Sequence, residues 1–347
     1  MSRVYLDWNA TTPLRPEARA AMIAAMDVVG NASSVHAEGR AAKGVIERAR
    51  GQIAQAFGAD GADIVFTSGA TEAAALACAG RGLHCAEVEH EAVAAWCEGD
   101  LAVDAQGKVT VTDPGKSALQ LANSETGILQ DLPAGVAVCD ATQAFGKVPV
   151  AFNWLGCDMA LVSAHKLGGP KGIGALVLRR GVDVAAQLRG GGQEMGRRAG
   201  TENIIGIAGF GAAAAAAARD LADGVWERVA ELRNILDQAL SAHGFETISV
   251  GNSVARLPNT LCIIAPGWRG ETQVMAMDLA GFAVSAGSAC SSGKVRESRV
   301  LRAMGFDAGL AGQAIRVSLG PDVTEDNVLR FADVWGRAYA KRLGRAA

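Results

Sequence analysis

Helix-like and strand-like patterns of apolar residues alternate along most of the chain. Apolar positions recur at helical spacing in PEARAAMIAAM, GRAAKGVIERARGQIAQAF and ATEAAALACAG, and this spacing predicts three helices. Short runs rich in Val, Leu and Ile, in DIVFTSG, AGVAVCDATQ, CDMALVSAHK and IGALVLR, predict strands between and after them. Because strands that are buried on both faces are apolar throughout, this alternation predicts a mostly parallel sheet covered by helices on both sides.

The pattern changes in the C-terminal third. The segment GIAGFGAAAAAAARDLADGVWERVAELRNILDQAL predicts a long, close-packed helical region with a break near Gly224. After about residue 244, strands and turns dominate, with helices predicted for ETQVMAMDLAG and TEDNVLRFADVWGRAYAKRLG and short strands for FAVSAG and AIRVSLG. We therefore expect a domain boundary near residue 244.

The amino-acid composition is typical of an ordinary globular protein. The 347 residues suggest about two domains, half of the residues are hydrophobic, one fifth are charged, and the net charge is −3. No basic excess indicates binding to nucleic acid. The N-terminal sequence MSRVYLDWNATTP lacks the apolar core of a signal peptide, and there is no run of about 18 uncharged apolar residues. We expect a cytoplasmic protein that does not enter a membrane.

The seven cysteines form no recognisable framework. Their number is odd and no CxxC pair occurs, so neither a disulfide scaffold nor a zinc ribbon is predicted. His84, Cys85 and His90 lie close together in HCAEVEH, but their spacing fits no common ligand pattern, and we predict no metal site. Cys290 differs from the usual buried cysteine because SAGSACSSG offers few apolar neighbours to bury it.

The stretch FTSGATEAAALA places Ser68, Gly69, Ala70 and Thr71 between a predicted strand and a predicted helix. Free backbone N–H groups at the start of a helix favour an anion, and the Thr71 hydroxyl could add a further donor. A simpler alternative is that Thr71 caps the helix.

Two charged residues directly follow apolar strands. Asp140 precedes Gln143 in CDATQAFGK, and it is either a helix cap or a buried charge with a cationic partner. Lys166 lies beside Ser163 and His165 in LVSAHKLGG. Burial at the end of a strand would lower the pKa of such a lysine and make it a candidate amine for Schiff-base formation; otherwise it is a surface lysine in a glycine loop. An anion site, a carboxylate and a lysine in this order are the parts that a pyridoxal phosphate site requires.

Five blocks of the sequence together resemble one family. TSGATE, DATQAFGK, SAHKLGGPKGIGAL, GGGQEMGRRAGTEN and SAGSACSS are similar, in order and spacing, to the blocks of the cysteine desulfurases, the NifS/IscS-like branch of the class V aminotransferases. The resemblance implies an α/β protein of pyridoxal phosphate (PLP) fold type I, the aspartate aminotransferase-like fold. Residues 14–243 would form a large PLP-binding domain with a mostly parallel seven-stranded sheet. Residues 1–13 and 244–347 would form a smaller α+β domain that carries a mobile cysteine loop.

The resemblance also implies roles for individual residues. Lys166 would bind the cofactor covalently and later serve as acid and base, and Asp140 would keep the pyridine nitrogen protonated. His90 would stack on the ring and move protons, although by itself it would be interpreted as a surface histidine. Gln143 would contact the ring hydroxyl of the cofactor. The cofactor phosphate would be bound by Ala70, Thr71, Ser163 and His165.

Substrate and subunit contacts follow from the same resemblance. Arg316 would bind the substrate carboxylate through its planar guanidinium. Without the resemblance, an arginine in this position would be interpreted as part of a surface ion pair at the end of a strand. Thr201 would reach the phosphate of the other subunit, which implies a homodimer. Many relatives have NNE where this chain has Asn123-Ser124-Glu125, so either Ser124 or Asn123 takes the usual place of the second asparagine at cofactor and substrate.

The implied activity is conversion of L-cysteine to L-alanine, with the sulfur kept as a persulfide on Cys290. That sulfur would pass to an acceptor protein, either an iron–sulfur scaffold or a tRNA-thiolation protein, and small residues on both sides of Cys290 would let it travel. Alternatives are another enzyme of the same fold, such as a selenocysteine lyase or an aminotransferase, and a catalytically silent scaffold protein. A transaminase needs no mobile cysteine, and a silent scaffold needs neither Lys166 nor Asp140.

Overall fold

A computed structural model of the protein describes residues 3–287 and 297–344. The α-helices of this part of the chain are α1 (Pro16–Met26), α2 (Ala37–Ala56), α3 (Ala70–Cys78), α4 (Glu91–Ala94), α5 (Phe152–Leu155), α6 (Ile204–Ala222), α7 (Val225–Ser241), α8 (Gly270–Leu279), α9 (Arg299–Ala303), α10 (Ala308–Ala311) and α11 (Glu325–Leu343). The strands are β1 (Val4–Tyr5), β2 (Asp63–Thr67), β3 (Leu83–Ala86), β4 (Cys97–Leu101), β5 (Ala118–Gln120), β6 (Val138–Asp140), β7 (Met159–Ser163), β8 (Gly174–Leu178), β9 (Ile248–Val250), β10 (Thr260–Ile264), β11 (Phe282–Ala283), β12 (Ser285–Ala286) and β13 (Ala314–Ser318).

The central sheet has the strand order β2-β8-β7-β6-β5. Strands β5, β6 and β7 are parallel, whereas β8 runs antiparallel to both of its neighbours. The parallel pair β3-β4 adjoins the β5 side through a bridge between His84 and Ser117, so seven strands lie side by side in the described part of the chain. The predicted mostly parallel sheet is therefore confirmed. The exception, β8, follows β7 after a short loop, and such a loop can return the chain only in the antiparallel direction.

Helices cover both faces of this sheet because successive residues of its strands point to opposite sides. On one side, Ile64 and Phe66 of β2 pack in a core with residues of α1, α2 and α6. On the other side, Val65 of the same strand packs with residues of α3. This two-sided burial explains why β2, β7 and β8 have nearly uninterrupted apolar sequences.

Helix α6 is long and apolar enough to cross a membrane by length and composition, but more than half of it is buried inside the protein. It packs against α1 and α2 at very short range. A Cβ at Gly209 would lie 2.7 Å from Met22 Cγ, and one at Gly211 would lie 2.6 Å from Ala49 Cα. Small residues therefore make α6 a core helix with close neighbours on two sides.

A second core lies around the antiparallel sheet β12-β13-β10-β9. Helices α7, α8 and α11 contribute to it, and the buried rings of Trp335 and Tyr339 lie 5.1 Å apart at its centre. The predicted break near Gly224 is confirmed, since this residue separates α6 from α7 with a φ of 72°. Strand β1 pairs with β11, so the N-terminal segment is anchored to the C-terminal part of the chain. The division at residue 244 stays a prediction.

The topology brings chemically active residues to one edge of the central sheet. Strands β2, β6 and β7 end there, and in open α/β sheets ligands bind at the carboxyl ends of the strands. Residues 9–12 cross this edge: the Thr12 N–H donates to the His165 carbonyl at 2.9 Å.

Candidate active site

A cavity of about 690 Å³ opens at this edge of the sheet. It brings together most of the residues that the sequence singled out. Its described lining includes Ala10, Thr11, Ser68, Gly69, Ala70, Thr71, His90, Gln120, Ser124, Asp140, Thr142, Gln143, Ser163, His165, Lys166 and Lys171.

Lys166 lies just beyond the end of β7 and is partly buried. Its Nζ donates to the backbone carbonyls of Asn9 at 2.6 Å and Ala10 at 2.9 Å. The lysine is therefore no surface residue in a loose loop: two carbonyls from the N-terminal segment hold its amine at the cavity.

Asp140 ends β6, and its Oδ1 accepts a hydrogen bond from the Thr142 N–H at 2.9 Å. The carboxylate thus stabilises the following turn and lines the cavity at the same time. Beside it, the Thr142 hydroxyl is buried without a hydrogen-bond partner among the described residues. A buried polar group of this kind is normally satisfied by a ligand or a water molecule.

The N-terminus of α3 faces the cavity without a side-chain cap. Its N-cap is Gly69 rather than Thr71, so the simple capping interpretation of Thr71 is wrong. The main chain is closely packed here, since a Cβ at Gly174 would lie 2.8 Å from Gly69 Cα. Backbone N–H groups and the helix dipole at this end favour an anion.

His165 lines the same cavity and lies among positively charged lysines. Its Nδ1 lies 3.1 Å from the Thr11 hydroxyl. Burial, followed by the charges of Lys166, Lys171 and Lys147, lowers the pKa of His165 to about 4. The imidazole is therefore neutral at neutral pH, and the surrounding cations suit an anionic ligand.

His90 lies at the start of α4 and lines the cavity. Its Nδ1 accepts a hydrogen bond from the Ala92 N–H at 3.1 Å, so a neutral imidazole carries its proton on Nε2. The preceding Glu89 is buried and accepts from the Gln120 N–H at 2.6 Å. Burial raises the pKa of Glu89 well above its usual value.

Asn123 and Ser124 have different roles in the structure. The Asn123 Oδ1 accepts from the Glu125 and Thr126 N–H groups at 2.9 and 2.8 Å, and its Nδ2 donates to the Val88 carbonyl at 3.0 Å. Asn123 thereby holds the turn, and the described lining residues of the cavity include Ser124 but not Asn123.

Arg316 is buried on β13 behind Ser124. Its Nη1 donates to the Ser124 carbonyl at 2.9 Å and its Nη2 to Asp7 Oδ1 at 2.8 Å. The Nε is buried with no partner within residues 3–287 and 297–344. The guanidinium thus forms an ion pair inside the protein rather than at its surface. Arg316 is not among the described residues that line the cavity.

Thr201 lies away from the cavity. Thr201 is exposed and belongs to a separate cleft of about 220 Å³ that shares Ser68 and Gly172 with the cavity. Cys290 belongs to residues 288–296, which lie outside the described part of the chain.

Two residues that the sequence did not single out, Asn9 and Lys147, are hydrogen-bonded to residues of the site. Asn9 is 1% exposed, and its backbone carbonyl accepts hydrogen bonds from Lys166 Nζ and, at 2.9 Å, from Gln143 Nε2. Lys147 is equally buried and donates to Asn9 Oδ1 at 3.2 Å. The polar run NATTP between the first strand and the first helix was the available signal for Asn9.

The donor set fits pyridoxal phosphate. An anion can be accommodated at the N-terminus of α3 beside His165, and a carboxylate at Asp140 suits a protonated ring nitrogen. Lys166 provides the amine, and the unpartnered Thr142 hydroxyl is a buried group that a polar ligand would satisfy.

The fold and this site define the chain as a class V aminotransferase-type protein. The family model described as aminotransferase class-V matches residues 4–100 and 104–331, well over half of the chain. Among curated relatives, a cysteine desulfurase of Cereibacter sphaeroides is 39% identical over 371 residues, which cover 96% of this chain and 95% of the relative. A cysteine desulfurase of a Frankia species is 41% identical, with 97% of this chain and 91% of the relative covered.

Solved structures agree with this classification. The NifS-like protein from Rickettsia africae superposes with a TM-score of 0.87 at 30% identity, covering 97% of this chain and 99% of that one. Within the class V aminotransferase family, the chain belongs to the cysteine desulfurases of the NifS/IscS-like branch. The resemblance seen in the five sequence blocks is confirmed.

Proposed function

We propose that this protein is a pyridoxal-phosphate-dependent cysteine desulfurase, which converts L-cysteine to L-alanine and keeps the sulfur as a persulfide on Cys290. The observation that carries the proposal is one cavity in which Lys166, Asp140 and the N-terminus of α3 meet. Membership of the cysteine desulfurases supports it.

When bound, pyridoxal phosphate supplies an aldehyde that captures amines and a ring that accepts an electron pair. Lys166 would hold the cofactor through Nζ, which already faces the cavity. Asp140 would accept a hydrogen bond from the ring nitrogen and keep a proton there. The carboxylate is suited to this task because the hydrogen bond from the Thr142 N–H to Oδ1 fixes its orientation.

The phosphate would be bound by the free N–H groups of Ala70 and Thr71 together with Ser163 and His165, while Gln143 would contact the ring hydroxyl. His90 would lie against the ring and move protons, with its orientation fixed by the hydrogen bond that Nδ1 accepts from the Ala92 N–H. In a homodimer, Thr201 would reach the phosphate of the neighbouring subunit.

Arg316 would bind the carboxylate of L-cysteine. Asp7 and the Ser124 carbonyl fix two of its nitrogens, which keeps the planar guanidinium in one orientation. Ser124, rather than Asn123, would offer its side chain to cofactor and substrate, since the Asn123 amide is already used within the turn.

Lys166 Nζ would take the α-proton of the bound cysteine. The Cys290 thiolate would then attack the substrate sulfur: a sulfur–sulfur bond forms, the substrate carbon–sulfur bond breaks, and the carbon takes up a proton. The products are L-alanine and a persulfide, so one sulfur atom moves without any external oxidant.

The persulfide would pass its sulfur to an acceptor protein for iron–sulfur cluster assembly or tRNA thiolation, in the cytoplasm. Residues 1–13 and 244–347 would form the small domain that carries Cys290, and residues 14–243 the large one. The pairing of β1 with β11 supports this grouping of the two chain ends.

The test is product formation from L-cysteine by the purified holoprotein, with dithiothreitol present to release sulfide. Wild type should form alanine and sulfide in equal amounts, whereas Lys166→Ala and Cys290→Ala should form neither at a comparable rate. Cys97→Ala is the matched control, because Cys97 is a partly buried thiol on β4 and should be dispensable. Full activity of Cys290→Ala would contradict the persulfide mechanism, and absence of alanine from the wild type would contradict the desulfurase assignment.

A further inference from the structure

Lys147 is hydrogen-bonded to Gln143, a residue that lines the cavity, and the mechanism above does not use it. It is 1% exposed, among the largest fully buried side chains of the described protein. Its Nζ donates to Gln143 Oε1 at 2.7 Å and to Asn9 Oδ1 at 3.2 Å. Both acceptors are uncharged amide oxygens rather than carboxylates, so a charge here would have little compensation for its loss of water.

The surroundings of Lys147 disfavour its charged form. Burial, followed by the positive charges of Lys166 and Arg316, holds the pKa of Lys147 well below its usual value. His165 also faces this group of cations. In either charge state the amine keeps at least two N–H groups, which is enough to donate to both oxygens.

Two hydrogen bonds, one from Lys147 and one to Asn9, fix the orientation of the Gln143 amide. Its oxygen faces Lys147, and one Nε2–H donates to the Asn9 carbonyl at 2.9 Å. The remaining Nε2–H is then available at the cavity that Gln143 lines. Without Lys147, the Gln143 oxygen would be a buried acceptor that has lost its donor, which favours a different orientation of the amide.

Asn9 connects Lys147 to Lys166, whose amine would bind the cofactor. Its side-chain oxygen also accepts from Asn259 Nδ2 at 3.1 Å, and its Nδ2 donates to Thr260 Oγ1 at 2.8 Å. Its backbone carbonyl accepts from both Gln143 and Lys166. Lys147 therefore belongs to a buried network whose two cavity-facing ends are Gln143 and Lys166.

We propose that Lys147 is a positioning residue, which acts through Gln143 and Asn9 to present an N–H donor to the cofactor ring and to hold the Lys166 amine in place. This inference rests on the proposed binding of pyridoxal phosphate. It assigns Lys147 no contact with substrate or cofactor.

The test is a double-mutant cycle on cofactor affinity, measured by titrating the cofactor-free full-length protein with pyridoxal phosphate and following visible absorbance and circular dichroism. Lys147→Met should raise the dissociation constant about tenfold and alter the dichroism of the bound cofactor. Gln143→Leu should have a similar effect. The double variant should be no weaker than either single one, because both remove the same donor.

Phe145→Leu is the matched control. Phe145 is buried two positions before Lys147 and its ring lies 4.7 Å from that of Phe57, so its truncation should lower stability without changing cofactor affinity. If Lys147→Met does not fold, Lys147→Gln carries the test, with a smaller rise in the dissociation constant that disappears in the Gln143→Leu background.

Wild-type affinity in Lys147→Met, or additive losses of about a hundredfold in the double variant, would overturn the proposal. Failure of the wild type to bind pyridoxal phosphate at all would instead contradict the proposed function.

Discussion

Glu125 is expected to make the stability of this protein depend on pH around neutrality. Its side chain is 5% exposed, and its Oε1 is buried without a hydrogen-bond partner among the described residues. Burial raises the pKa of Glu125 from 4.5 to about 7, although Ser298 and Arg316 both oppose the rise. The perturbation that tests this is Glu125→Gln, which keeps the shape of the side chain and removes its titration.

The magnitude follows from the difference between the folded and unfolded pKa values. At pH below 4.5 the carboxyl is protonated in both states and carries no penalty. As pH rises toward 7, the unfolded chain loses this proton while the folded protein keeps it, so stability falls. At about 1.4 kcal/mol for each pH unit, the loss approaches about 3 kcal/mol above neutrality.

The assay compares urea unfolding of wild type and Glu125→Gln at matched protein concentration between about pH 5 and about pH 8. Relative to the variant, wild type should lose most of this free energy of unfolding over that range. Glu231→Gln, an exposed substitution on α7, is the control and should follow the wild type. A wild-type-minus-variant difference that stays constant with pH would refute the reasoning, as would an infrared difference spectrum showing Glu125 ionised at pH 5.

Three further outcomes are expected. Gly44→Ala should raise the melting temperature, because a Cβ at this exposed position within α2 meets nothing within 4 Å and the change stabilises a helix by about 0.5–1 kcal/mol. Gly320→Ala should lower it by the equivalent of about 1–3 kcal/mol, because its Cβ would lie 1.7 Å from Trp8 Cε2; an unchanged melting temperature would contradict the packing described. Inorganic phosphate should raise the pKa of His165 from about 4 toward its ordinary value in an NMR titration, since an anion offsets the nearby lysines; no change would mean that no anion binds there.

Much of the fold could be predicted from apolar patterns. Strands such as Asp63–Thr67 and Met159–Ser163 are buried on both faces and have uninterrupted apolar sequences, so they were recognisable. The strand Cys97–Leu101 was not, because three of its five residues are exposed and polar or glycine. The antiparallel direction of Gly174–Leu178 was also hidden, since strand direction depends on the preceding loop and not on the strand's own residues.

The site was predictable where chemistry follows a strand, and hidden where distant segments meet. Lys166 and Asp140 each follow an apolar strand, which made them visible as unusual charges. Lys147 has no such signal, because its burial depends on contacts with Asn9, 138 positions earlier in the chain. Likewise, the sequence motif gives no sign that the Asn123 side chain is bonded within its own turn while Ser124 lines the cavity.

The central claim is that sulfur from L-cysteine becomes bound to Cys290, and site-resolved mass spectrometry tests it most directly. The holoprotein is mixed with L-cysteine without a reductant, alkylated and digested. We predict one added sulfur atom on the peptide that contains Cys290, formed with an equal amount of alanine and absent in Lys166→Ala. Alanine formation with an unmodified Cys290 peptide, or sulfur bound instead to one of the other cysteines, would contradict the account.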